Sequence, residues 1–268
     1  MTPFAATRSQ VQGECLRYFQ KPHNARLRLV CFTWAGGGAN YYRKLVGRIA
    51  PDVELIGVQL PGREDRFKET RLTCMKQIVT QVVGELRSLT DLPLVLFGHS
   101  MGALVAYEVA QALYGEPLIS LLALMVSGAN APHIESGHVR CTADASEHEV
   151  ISDIANLGGT PRALLEDRSL MRSLLPIIRA DSKVLESYCP HPPSPLLDCS
   201  LIACAGHADH CVSRTGIEAW SQYTGSAFSA HWFEGGHFYL TELHHPWVEQ
   251  LNIWLRQEPP IKTKKQEV

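Results

Sequence analysis

The pentapeptide Gly98-His99-Ser100-Met101-Gly102 narrows the possible folds of this chain more than any other segment. It follows the apolar run that ends Leu94-Val95-Leu96-Phe97 and opens the helical pattern Ala103-Leu104-Val105-Ala106-Tyr107-Glu108-Val109-Ala110. A serine flanked two residues away on each side by glycine, at a strand-to-helix break, predicts a sharp and strained turn. Side chains at 98 and 102 would collide with the neighbouring strand and helix. The turn lifts the serine Oγ above the sheet edge. It also aims the first free amides of the following helix at whatever sits on Oγ.

At 268 residues and 45% hydrophobic, the chain can bury the core of one large domain, or of one domain with an insertion. A net charge of −2 gives no electrostatic case for nucleic acid or an anionic membrane. No apolar run approaches the ~20 residues needed to cross a bilayer. Met1 to Gly13 lacks the basic and apolar regions of a signal peptide, so a cytoplasmic location is expected. The eight cysteines are scattered without a C-x-x-C pair, and Cys31 and Cys204 lie in apolar runs, so buried reduced thiols are expected. His207-Ala208-Asp209-His210-Cys211 is the one metal-like cluster. It has no second ligand pair at a familiar spacing, so no metal is expected.

Short β-rich runs alternate with longer amphipathic stretches, the pattern of an α/β fold with a mostly parallel central sheet flanked by helices. The predicted strands are Leu27–Phe32, Glu54–Gln59, Leu94–Phe97, Leu121–Ser127, Ser200–Ala205 and Ala227–Phe233. The predicted helices are Asn40–Ile49, Leu72–Ser88, Ser100–Tyr114, Ser213–Tyr223 and Leu243–Arg256. From 131 to 189 the alternation stops and helical spacing takes over. There Leu170, Met171, Leu174, Leu175 and Ile178 form one apolar stripe, away from Arg168, Arg172 and Arg179. Pro176 is expected to kink or interrupt that helix. Residues 1–130 and 190–268 are therefore read as the core, 131–189 as a helical lid inserted above the strand ends, and 257–268 as a solvated tail.

A serine at its own pKa is a poor nucleophile and needs a base, which in turn needs an orienting acid. In α/β-hydrolases the chain order is Ser, then Asp or Glu, then His. Asp209 follows the predicted strand Ser200–Ala205, whereas its rival Asp198 precedes that strand and lies at the wrong end of the sheet. His237, in Glu234-Gly235-Gly236-His237-Phe238, follows the last predicted strand. Among other histidines, His99 is expected to point away from the site, His207 and His210 precede the last strand, and His244 and His245 fall on the final helix. The candidate triad is Ser100, Asp209 and His237. An oxyanion hole needs two donors. The Met101 amide supplies one. The loop Thr33-Trp34-Ala35-Gly36-Gly37-Gly38 supplies the other, through Ala35 with Gly36 next, because its glycines let backbone approach a substrate. The same glycines match neither G-x-x-x-x-G-K-[ST] nor G-x-G-x-x-G, the phosphate-loop patterns.

With these residues in place the chain resembles the type II thioesterases, the stand-alone editing enzymes of nonribosomal peptide and polyketide synthesis. It is also similar to the fatty-acid-releasing thioesterases of that group. The resemblance runs from about Leu29 to Leu251. It is carried by Phe32–Gly38, Leu60-Pro61-Gly62-Arg63-Glu64, Phe97–Gly102, Gly158-Gly159-Thr160-Pro161, Arg179-Ala180-Asp181 and Gly235-Gly236-His237-Phe238-Tyr239. Thr33 and Trp34 depart from the family's usual proline and histidine. The resemblance implies the α/β-hydrolase fold and hydrolysis of an acyl or aminoacyl thioester on the phosphopantetheine arm of a carrier protein, through an acyl-serine. It implies no cofactor beyond the arm the substrate brings, and carrier-protein domains as partners of a monomer. Trp34, Leu174, Ile178 and Phe238 are expected to border the acyl chamber. Arg63 and Arg66 are open to two readings, carrier docking or structural ion pairs, with the ion pair favoured for Arg63. A carboxylesterase, an acyltransferase and a non-catalytic carrier-binding subunit share the same core residues, so the acceptor of the acyl group remains to be measured.

Overall fold

The computed structural model describes residues 15–134, 142–160, 162–190, 192–241 and 246–256. The predicted tail at 257–268, the N-terminal segment, His191, His244 and His245, and the start of the last predicted helix at Leu243 lie outside the described residues. Among the described residues a seven-stranded sheet has the order β1-β3-β2-β4-β5-β6-β7. Its strands are β1 (Leu16–Gln20), β2 (Leu27–Phe32), β3 (Val53–Val58), β4 (Leu94–His99), β5 (Leu121–Ser127), β6 (Ser200–Gly206) and β7 (Phe228–Phe233). Every pairing is parallel except that of β1 with β3. β1 is an addition to the sequence reading. It lies at the edge of the sheet and pairs antiparallel with β3 alone.

The central strands are buried on both faces, and their side chains alternate between two cores. Val30, Phe32, Ile56, Leu94, Leu96, Leu124, Val126, Leu201 and Ala203 enter one. Leu27, Leu29, Cys31, Leu55, Val95, Phe97, Met125 and Cys204 enter the other. The first core is closed by α1 (Met75–Leu86), which buries Met75, Ile78, Val82, Val83 and Leu86 at helical spacing, and by α2 (Met101–Leu113). The second core is closed by a 3₁₀ turn at Ala39–Leu45, which replaces the longer helix predicted from Asn40. Downstream of β5 come α3 (Glu147–Leu157), α4 (Arg162–Leu165) and α5 (Arg168–Glu186), all inserted before β6. α6 (Arg214–Glu218) continues as a 3₁₀ turn, Ala219–Tyr223, and α7 (Pro246–Arg256) closes the second core with Trp247, Val248, Leu251 and Leu255.

Of the kink or interruption expected at Pro176, the interruption does not occur: α5 runs through it as one helix. The ring is on the exposed side of the helix, so the carbonyl that loses its partner can turn to water and the helix continues. The seven described cysteines are free, five of them buried.

Parallel register aligns the carboxyl ends of the strands. Phe32 pairs with Gly98, His99 with Ser127, Ser127 with Cys204, and Gly206 with Phe233. The segments that follow β2, β4, β6 and β7 therefore open onto one rim, the rim at which sheets of this kind take their ligands. Packing at the head of α2 is tight enough to dictate sequence. A Cβ on Gly98 would overlap the carbonyl of Gly102, and one on Gly102 would overlap the carbonyls of Phe32 and Thr33. Both obstacles are backbone, which cannot rotate away. Gly98→Ala and Gly102→Ala are each expected to destabilise the fold by roughly 3 kcal/mol, read as a shift in the urea midpoint. A midpoint equal to wild type for either variant contradicts the packing described.

Candidate active site

Ser100 stands between β4 and α2 with φ 56° and ψ −121°. Among the described residues only Glu64 shares a positive φ without being glycine. Such a backbone costs about 1–3 kcal/mol and persists only where its surroundings enforce it. Here the Ser100 amide donates to the Ser127 carbonyl at 2.8 Å, and the Ala103 amide donates to the Ser100 carbonyl at 3.0 Å.

The loops after β6 and β7 are joined by backbone. The His207 amide donates to the Phe233 carbonyl (2.8 Å) and the Ala208 amide to the Gly235 carbonyl (2.9 Å). That join brings Asp209 to His237, whose Nδ1 lies 2.9 Å from Asp209 Oδ2, with both residues buried. Burial on its own raises the Asp209 carboxyl. The hydrogen bond and electrostatic interaction with His237, together with the Cys211 amide and thiol, outweigh it and hold the carboxyl below its usual range. An ionised Asp209 only accepts, so Nδ1 carries the proton and Nε2 has its lone pair free. Asp198 is exposed at the other end of β6, and His207 and His210 are exposed beside the acid.

Ser100, His237, Trp34, Ala35, Gly36, Leu174, Ile178 and Phe238 all border one cavity of about 140 Å³. Its remaining wall is largely apolar and comes from the β5–β6 insertion, including Val150, Ile154, Leu157 and Met171. Trp34 packs edge-on against Phe238, with ring centroids 5.1 Å apart. All four residues expected around the chamber therefore meet the same space as the serine and the histidine.

The oxyanion candidates divide. Among the described residues no protein group accepts from the amides of Met101 or Ala35. The Gly36 amide, the second choice from sequence, is taken: it donates to Asp181 Oδ2 at 2.7 Å. Gly36 is therefore not a free donor. A buried carboxylate from α5, distant in sequence, already occupies its N–H.

Two other neighbours take places at the site that the sequence did not assign them. Cys211 is buried, lines the cavity and donates its amide to Asp209 Oδ1 at 2.9 Å. Its position two residues after the acid was the available signal. Asp209, Cys211 and His237 offer ligand-type atoms within 4.8 Å of one another, but the carboxylate and Nδ1 are already committed to each other. His99 does not point away from the site as expected. Its ring packs 4.9 Å from that of His237, and its Nδ1 lies 2.9 Å from Ser127 Oγ, which lies 2.8 Å from Tyr239 Oη. Burial, with the positive field of His237 second, holds His99 well below the usual imidazole range, so it stays neutral. Arg63 and Arg66 are both buried in ion pairs, with Asp181 and Glu69, and neither is presented for docking. No described helix is long and apolar enough to cross a membrane.

Residues 27–252 match the Thioesterase domain family. The chain is 35% identical over 236 residues to the gramicidin S biosynthesis protein GrsT of Aneurinibacillus migulanus, covering 87% of this chain and 90% of that protein. It is 34% identical to thioesterase PikA5 of Streptomyces venezuelae, covering 87% and 82%. Among solved structures, the type II thioesterase BorB from the borrelidin biosynthetic cluster superposes with a TM-score of 0.80. Its identity is 34%, over 90% of this chain and 98% of that one. A strained serine at the rim, a histidine on the same cavity wall paired with a buried aspartate, and a family match that runs from β2 through β7 agree: the chain belongs to the thioesterase domain family, where it resembles the type II thioesterases.

Proposed function

We propose that this protein hydrolyses acyl or aminoacyl thioesters borne on the phosphopantetheine arm of carrier proteins, clearing an assembly line of nonribosomal peptide or polyketide synthesis. The observation that carries the reading is the strained Ser100 at the wall of an apolar cavity that His237, oriented by Asp209, also lines. The likeness to GrsT, PikA5 and BorB supplies the substrate class.

In this reading Ser100 Oγ attacks the thioester carbonyl while His237 Nε2 takes the hydroxyl proton. The tetrahedral oxyanion accepts from the amides of Met101 and Ala35. Its collapse breaks the C–S bond, and His237 returns the proton to the departing thiol, leaving acyl-Ser100. A water then attacks the ester with His237 again as base, and the free acid leaves as Ser100 regains its proton. Asp209 stays ionised throughout and stabilises the imidazolium formed in each half. Phosphopantetheine arrives with the substrate. The insertion of α3 to α5 acts as the lid, with Leu174 and Ile178 beside Trp34 and Phe238 shaping the acyl chamber.

The test is thiol release from acetyl- and medium-chain acyl-carrier protein beside matched oxyesters. Thioester cleavage is expected to exceed oxyester cleavage. Preference for the short acyl group marks editing, and preference for the medium chain marks fatty-acid release. Binding of the carrier without cleavage would overturn the reading in favour of a non-catalytic scaffold.

Ser100→Ala and His237→Ala are each expected to lower kcat by at least about 10³-fold, with the double variant little worse than either, because the members act as a unit. Asp209→Asn should lose on the order of 10³–10⁴-fold by allowing the wrong tautomer. Near-normal turnover in any of the three removes that residue from the triad. Leu174→Trp should fill the chamber, raising KM for a medium-chain thioester at least about tenfold, the scale of a few methylenes in an apolar pocket, while sparing acetyl. Equal effects on both chain lengths would take Leu174 out of the acyl wall.

A further inference from the structure

The loop that follows β2 is bound to a single side chain of α5. Asp181 is fully buried. Arg63 Nη2 donates to its Oδ1 and Arg63 Nη1 to its Oδ2, both at 2.8 Å. Oδ2 also accepts the Gly36 amide at 2.7 Å, while the same Nη1 donates to the Gly37 carbonyl at 3.1 Å. Arg63 is fixed in its turn, because Gln59 Nε2 donates to its carbonyl at 2.9 Å and Gln59 Oε1 accepts the Ala39 amide at 2.6 Å. Backbone on both sides of the Gly36–Gly37 peptide is therefore held by the same ion pair.

The part of α5 that carries Asp181 is itself anchored. Val184 belongs to the main core, whereas Met171 and Leu175, further up the helix, belong to a separate small core shared with Val150 of α3. Tyr188, just past the helix, donates to Glu108 of α2 at 2.6 Å. Asp181 thus stands on the half of α5 that is packed on the main core and tied to α2. The residue directly before the captured amide is Ala35, whose own N–H remains free beside Ser100 on the cavity wall.

We propose that Asp181 is a positioning residue for the oxyanion hole: by holding the Gly36 amide it turns the preceding Ala35 amide toward the oxygen that becomes charged on Ser100. This rests on the reading of Ala35 as an oxyanion donor. Arg63 binds both oxygens of the carboxylate and so fixes its plane. The arrangement gives the motifs Pro61-Gly62-Arg63 and Arg179-Ala180-Asp181 one shared purpose.

A merely structural ion pair and a positioning device differ in what a charge-free replacement restores. The full-length enzyme, its Arg63→Met/Asp181→Leu variant and Asp181→Asn are assayed with butyryl-N-acetylcysteamine thioester. The trifluoromethyl ketone analogue of that substrate, which forms an oxyanion on the serine, serves as inhibitor. The double variant leaves no charge buried alone, so its melting temperature should stay close to wild type. Its kcat should nevertheless fall about 10–100-fold, part of the 10²–10³ that a lost oxyanion donor costs. KM should stay within about twofold, and ketone inhibition should weaken by the same factor as kcat. Wild-type kcat in a folded double variant overturns the proposal, as does a loss confined to KM. If the double variant does not fold, Asp181→Asn decides. Its amide has a single acceptor oxygen. With that oxygen on Gly36 and Arg63 Nη1, its NH2 meets Arg63 Nη2 donor against donor and the side chain must turn. So kcat should fall with KM unchanged, and unchanged kcat overturns the proposal. Ser100→Ala with wild-type turnover would instead remove the catalytic reading itself, an outcome recognisable because it leaves no serine-bound oxyanion to position.

Discussion

The absence of two Cβ atoms governs how this molecule is assembled. With glycine at 98 and 102, the first turn of α2 lies directly on the carbonyls that end β2 and on the backbone that leaves β4. Ser100 takes the strain of that approach, about 1–3 kcal/mol for a backbone in so sparsely populated a region. Burial of a side chain such as Leu96, Met101 or Val105 returns roughly 1.5–3 kcal/mol each, and all three sit in the core that α2 closes. Two or three such contacts offset the strain, so the turn is stable because the helix behind it is buried. The same closeness sets the Met101 amide and the loop after β2 side by side at the rim.

The second constraint is electrostatic and joins segments far apart in the chain. Arg63, Asp181 and the loop at Gly36–Gly37 meet in a site without solvent. Removing two charges from water is costly, and such pairs contribute little net stability against an apolar replacement. Leaving one partner alone is another matter, costing about 3–5 kcal/mol. What the pair provides is geometry. A bidentate guanidinium fixes the plane of the carboxylate, and the carboxylate fixes a peptide in a glycine-rich loop that would otherwise have several conformations of similar energy.

Much of this was legible in the sequence where a local rule applied. The alternation of apolar runs and amphipathic stretches located the six parallel strands, because strands covered on both faces leave a continuous apolar signal. β1, half exposed and antiparallel, leaves a weaker one. The helix predicted from Asn40 is a short 3₁₀ turn that tertiary packing of Tyr42 and Leu45 holds in place, and local periodicity does not distinguish the two. Ser100, Asp209 and His237 could be located by their order relative to the strands, and the structure brings the acid and the histidine into contact. Gly36 was misjudged for a reason no local pattern contains: its amide is claimed by a residue 145 positions away. That α5 is not interrupted at Pro176 depends on exposure of the helix face, which decides whether a freed carbonyl finds water and is a property of the fold.

His99 illustrates how burial can serve a reaction from behind. In the proposed mechanism His237 becomes an imidazolium in each half-reaction, and Asp209, held ionised, faces it across Nδ1. A second ring lies 4.9 Å from it. Were that ring charged, the repulsion at an effective dielectric near 20 would be about 3 kcal/mol. That would slow both half-reactions by more than a hundredfold. Burial removes that penalty by keeping His99 neutral, while its contact with Ser127 and, through it, Tyr239 fixes the orientation of the ring. A histidine inside the elbow can therefore pack tightly against the catalytic imidazole without competing for its charge, which a lysine or arginine at 99 could not do.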